Sequence, residues 1–112
     1  MQVPKPSEAD KTRFRGLVPD DPRVEVKPMF GNLGAFVNGN MFMGLFGADI
    51  GVKLAPADAD SLARVDGAGP YGPVERPMSG WLTVPPSITA DSPWIAKALE
   101  FVAGLPPKAA KR

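Results

Sequence analysis

The chain has neither cysteine nor histidine among its 112 residues, and these two absences remove several chemistries at once. Without cysteine there is no disulfide framework, no thiolate nucleophile and no sulfur-ligated zinc. Without histidine, the serine–histidine–aspartate and cysteine–histidine arrangements are excluded. Long apolar runs are also lacking. The longest nearly unbroken one, "MFMGLFG" at 41–47, falls far short of the ~20 residues that a membrane-spanning helix needs. The opening "MQVPKPSEAD" has no apolar stretch after its single lysine, so it does not read as a signal peptide. The expectation is a soluble, cytoplasmic protein with no membrane partner.

Strong net charge is missing too, since the formal total is +1. The distribution is uneven, however: residues 1–15 carry +2, residues 106–112 carry +3, and in 16–105 six basic residues stand against ten acidic ones, a net of −4. A nucleic-acid surface needs clustered cations to displace counterions from phosphates. The folded body has the wrong sign for that, so direct nucleic-acid binding is expected, if anywhere, only through the basic ends.

What is abundant is proline and glycine, 14 and 12 residues, well above average usage; connections should be many and helices few. The expected organisation is a disordered N-terminus at 1–6, one α+β domain at 7–105, and a basic disordered tail at 106–112. Ser7 followed by Asp10 has the spacing of a capping box and opens a helix through "EADKTRFRGLV", with Phe14, Leu17 and Val18 as its buried stripe. "PDDP" ends it. "RVEVKPMF" alternates valine with charged residues, as a half-buried strand does, and Pro28 places its far end at an edge or a bulge.

In "FVNGNM", Asn38-Gly39 lies between two β-forming segments, the strongest short hairpin signal, because a type I′ turn needs positive φ at both central residues. A two-residue loop predicts that Val37 opposes Asn40, Phe36 Met41, Ala35 Phe42 and Gly34 Met43. One face would then carry Leu33, Ala35, Val37, Phe42 and Phe46, and the other Phe36, Met41, Met43 and Leu45. With both faces apolar, cover is expected from helices on one side and from more chain or a second subunit on the other. A homodimer is therefore expected.

Further on, "IGVKLA" reads as a strand, "PADADSLARV" as a short helix, "GAGPYGP" as a loop and "VERPMSGWLTV" as an extended arm leading into a strand. Asp91 or Ser92, Pro93 and Gly104 bound a last helix with a broad apolar face.

Several motifs reduce to backbone requirements. "GAGPYG" at 67–72 matches the dinucleotide pattern letter by letter, but that motif works only between a strand and a helix whose N-terminus meets the pyrophosphate. Here a helix precedes it and prolines interrupt it. "GNLG" at 31–34 resembles a KH-domain clamp, yet strands flank it where the KH motif has helices; a turn with positive φ and close approach of neighbouring chain explain its glycines better. The acidic pairs Asp58/Asp60 and Asp20-Asp21 do not converge as hard cations require. Ser79 lacks the nucleophile-elbow pattern. No catalytic residue, metal or cofactor is expected.

One pairing stands apart. "KPMFG" at 27–31 and "RPMSG" at 76–80 each place a cation, Pro-Met, one residue and Gly in order. If both arms lie at neighbouring sheet edges, Met29 and Met78 flank a common groove with Phe30 and Trp81, and methionine-rich grooves suit adaptable binding. The candidate interaction surface is Met29, Phe30, Met41, Met43, Arg76, Met78 and Trp81. A small-molecule binder or enzyme using carboxylates and Arg76 would instead need an enclosed pocket with Glu25 or Glu75 inside it.

The segments "VEVKPMFGNLGAFVNGNMF", "VKL", "YGPVERPMSGWLTVP" and "WIAKALEFVAGLPPK" resemble the N-terminal domain of the TfoX (Sxy) competence-regulator family, from about Thr12 to Lys108. The resemblance implies a two-layer α+β fold of the secretion-chaperone-like kind, with an antiparallel sheet and helices at both chain ends. It also implies a regulatory protein linked to transcription of DNA-uptake genes, acting with a protein partner such as a transcription factor and not as an enzyme. Full-length members of that family carry a second, helical domain after this one, whereas here "LPPKAAKR" follows directly, so a stand-alone interaction domain is expected.

Overall fold

The computed structural model describes residues 4–29, 31–73, 75 and 77–107. Ser7 starts the first helix, α1 (Glu8–Leu17): its hydroxyl accepts from the Asp10 N–H at 3.0 Å, and the Asp10 carboxylate accepts from the Ser7 N–H at 2.9 Å. Aspartate thus completes the reciprocal cap that glutamate usually makes, satisfying N–H groups that a helix start leaves unpaired. Phe14 and Leu17 are the buried residues of this helix.

Among the described residues, six antiparallel strands follow in the spatial order β1-β2-β3-β4-β6-β5. Their ranges are β1 (Val24–Met29), β2 (Asn32–Val37), β3 (Asn40–Phe46), β4 (Asp49–Lys53), β5 (Gly69–Pro70) and β6 (Trp81–Thr83). β1 is an edge strand, which is where Pro28, lacking an N–H, is tolerated. Between β2 and β3, Asn38 and Gly39 adopt φ of 54° and 81°, the double positive φ that the Asn-Gly turn requires.

The register agrees with the two-residue loop for Val37↔Asn40 and Phe36↔Met41, then departs from it. Ala35 faces Met43 and Gly34 faces Gly44, so Phe42 is an extra residue, a β-bulge. The expected pairings of Ala35 with Phe42 and of Gly34 with Met43 are corrected accordingly. A bulge lets two successive side chains point the same way: Phe42 and Met43 are both fully buried in one core. Beyond it the alternation is inverted. Met43 and Leu45 pair with Val52 and Ile50 on the core face, while Gly44 and Phe46 turn to the opposite face.

The helices α1, α2 (Pro56–Ala63) and α3 (Pro93–Ala103) lie on the core face. α3 crosses β2, β3 and β4, α1 packs on β2, and α2 on β6. Ser92 caps α3 by accepting from the Trp94 N–H at 3.2 Å, with Pro93 at the first helical position. Ile95, Ala98, Leu99 and Val102 meet Phe14, Leu62 and the inward residues of the strands in a single cluster. The result is a two-layer α+β fold. At the far ends, the Arg23 guanidinium joins Asp21 at 2.8 Å and Glu100 of α3 at 3.0 Å. The Asn40 side-chain amide donates to the Pro106 carbonyl at 3.0 Å.

The opposite face, helix-free among the described residues, is covered in part by Tyr71, Pro73 and Met78 of the same chain, so more chain supplies some of the cover expected from either more chain or a second subunit. Gly39→Val is expected to destabilise the fold by about 1 kcal/mol or more, because a β-branched residue resists the positive φ of that turn. Gly69→Ala, whose added methyl meets nothing within 4 Å, should change stability by less than ~0.5 kcal/mol. Urea unfolding midpoints of the two variants check the contrast.

Candidate functional site

On the helix-free face, a row of glycines crosses the middle of the sheet: Gly34 pairs with Gly44, and Gly44 with Gly51. The missing side chains leave a trough, and neighbouring side chains fall into it. The Met41 sulfur lies 2.7 Å from where a Cβ on Gly34 would stand, and the Tyr71 hydroxyl 2.7 Å from that of Gly44. A Cβ on Gly51 would stand inside the van der Waals surface of the Tyr71 ring.

Tyr71 is held there from several sides. Its carbonyl accepts from the Met78 N–H at 2.9 Å, which closes the intervening loop. Its ring stacks on Trp81, with centroids 5.4 Å apart and planes at 22°, and meets Phe46 edge-on at 6.2 Å. Only 4% of Tyr71 is exposed, although neither it nor Trp81 belongs to the helix-side core. Burial pushes the phenol above its ordinary value of 10.0, and the nearby Asp49 charge adds to the effect.

Between this aromatic group and β2 and β3 lies a cavity of about 270 Å³. Met41, Gly44 and Phe46 line it from the sheet, Met29 from the end of β1, and Tyr71, Pro73 and Met78 from the covering segment. Asn32 also contributes, but both ends of its amide are already engaged: it accepts from the Gly47 N–H at 2.8 Å and donates to the Pro4 carbonyl at 3.1 Å. Tyr71 is therefore the one titratable side chain among the described lining residues, and no described residue hydrogen-bonds its hydroxyl.

Of the candidate surface, the structure brings Met29, Met41 and Met78 together around this cavity, each half-buried. Trp81 stands behind Tyr71 as its stacking partner. Met43 is a correction: the bulge turns it through the sheet, and it is fully buried against the helices, so it offers no surface. Phe30 and Arg76 lie outside the described residues. Glu25 and Glu75 are both exposed and neither lines the cavity; Glu25 pairs with Lys27 at 3.7 Å. Sequence reasoning missed Tyr71, Phe46 and Gly44, although "YGP" and the glycine spacing of β2 to β4 were available as signals.

A wider depression of about 420 Å³ lies between Val65 and the loop 85–94. Of its polar groups, Ser92 is engaged as the helix cap and Thr89 donates to Asp91, while Ser87 and Asp91 are exposed to solvent. Among the described residues, no helix is long and apolar enough to cross a membrane.

The sequence profile of the TfoX N-terminal domain matches residues 17–102, which include all six strands and α2. The chain belongs to the TfoX N-terminal domain family. Neither a curated protein nor a solved structure matches it. The TfoX N-terminal domain family is not a known family of enzymes, and the glycine row, the Tyr71 cover and the methionine cavity of this member all lie within the matched segment.

Two outcomes are expected of this arrangement. Gly51→Ala should cost ~1–3 kcal/mol by overpacking Tyr71, seen as a lower urea midpoint with a weakened near-ultraviolet circular dichroism signal from the Tyr71–Trp81 stack. Because the folded phenol titrates above the unfolded one, the unfolded chain loses this proton first as pH rises past its ordinary value, and folding stability falls from there upward. Tyr71 is the only tyrosine, so phenolate absorbance should appear together with alkaline unfolding. Phenolate formation in a still-folded chain near the ordinary value would contradict the burial argument.

Proposed function

We propose that this chain is a non-enzymatic interaction domain of regulatory type, which docks a protein partner on the helix-free face of its sheet. The observation that carries this reading is the methionine-rimmed cavity, which has hydrophobic walls and no carboxylate, ammonium or guanidinium among its described lining residues. General acid–base or nucleophilic catalysis needs positioned groups with matched pKa values, and the cavity supplies only a phenol held in its neutral form. Unbranched thioether side chains adapt to differently shaped apolar partners. Family membership adds the expectation of a cytoplasmic co-regulator of transcription, with a transcription factor as partner.

The net −4 of residues 16–105 favours a protein over a nucleic acid as that partner, because counterion release needs a positive surface. The test is affinity capture with the full chain and with Met29→Glu and Met78→Glu, each of which places a charge at the cavity rim. A protein held by the wild type and by Ser87→Glu, but lost with both methionine variants, is the expected result. Equal capture by all four baits would rule out this face. DNA binding that survives removal of residues 1–11 and 106–112 would overturn the assignment of partner class.

A further inference from the structure

The cavity beneath Tyr71 has a size and a lining that specify more than a general affinity for apolar surface. At about 270 Å³ it exceeds the ~150 Å³ in which an engineered apolar cavity holds benzene, and it lies just below the ~300 Å³ at which sites for drug-sized ligands begin. That is room for one substituted ring or two fused rings. A partner's side chain reaching in from a protein surface would use only part of it.

The walls favour an aromatic occupant over an alkyl one. Phe46 and Tyr71 already meet edge-on, a geometry that extends to a further ring. Met29, Met41 and Met78 bring three thioethers, and sulfur at an aromatic edge is a favourable contact.

The polar content is as restrictive. A charged ligand would lose its hydration with no opposite charge among the described lining residues to replace it. Asn32 already has one amide N–H engaged by Pro4 and its amide oxygen by Gly47. The polar side-chain group of the lining that no described residue bonds is the Tyr71 hydroxyl, which stands over Gly44 and can donate one hydrogen bond or accept one.

We infer that this cavity is a binding site for a small uncharged aromatic molecule with a single hydrogen-bonding group, of the phenol or indole class, its ring among the three methionines and its polar atom on the Tyr71 hydroxyl. The inference deepens the docking reading, because a molecule seated there occupies the volume that a partner's side chain would enter. Ligand and partner then exclude one another, and the ligand acts as a negative effector of docking.

The test uses the full chain alone, without a partner, so its outcome is separate from that of the capture experiment. Methionine methyl resonances are followed while p-cresol, indole, toluene and benzoate are added in turn. Saturable shifts of Met29, Met41 and Met78 with p-cresol and indole are expected, with Met43 on the other face unmoved and benzoate without effect. Tyr71→Phe should weaken p-cresol about tenfold, the loss of one neutral hydrogen bond, and leave toluene unchanged. Absence of saturable shifts with every probe would overturn the inference, as would benzoate binding as well as p-cresol, or Met43 responding together with the cavity methionines.

Discussion

The Tyr71 ring rests on bare backbone, because Gly44 and Gly51 carry no Cβ where it lies. Much of the helix-free face depends on this contact. An aromatic ring over glycine gains close dispersion contact across its whole surface, and here Tyr71 in turn positions Trp81 behind it and Phe46 at its edge. The hydrogen bond from the Met78 N–H to the Tyr71 carbonyl then fixes the arm that brings Met78 to the cavity. A second, smaller apolar cluster thus forms on the side of the sheet away from the helices, built from the chain's own loop.

The bulge at Phe42 makes the two faces chemically different. A regular ladder would have spread β3 evenly, with Phe42 and Phe46 on one side and Met41, Met43 and Leu45 on the other. With one extra residue, Phe42 and Met43 both enter the helix-side core, and Gly44 and Phe46 are delivered to the other face. The large flexible residues that would have filled the trough are withdrawn from it, and glycine takes their place.

The helix caps, the Asn38-Gly39 turn, the edge position of β1 and the two-layer architecture were legible because each has a local cause. Ser7 with Asp10, Ser92 with Pro93, and the paired residues of a tight turn act within four residues of themselves. The bulge was not legible: nothing in "NMFMGLF" distinguishes a slipped register from a regular one, since every residue of it is tolerated on either face. Met43 was consequently assigned to the wrong side. Of the site, the Met29 and Met78 pairing could be read from two similar segments, but Tyr71 could not. Its role depends on Gly51, twenty residues earlier, being its seat, and such a contact has no periodic signature. The family resemblance, seen in the same segments, is confirmed over 17–102.

α3 has a position in the chain that bears on how the molecule is made. It covers the centre of the sheet, across β2, β3 and β4, yet residues 93–103 come after all six strands in chain order. Val37, Phe42, Met43 and Val52 therefore lack the cover of α3 until that last helix has been made and has docked. Transiently exposed hydrophobic strands of this kind are prone to association with other unfinished chains. Docking of α3 is thus the step that closes the core, and whatever delays it lengthens the exposure of the strands.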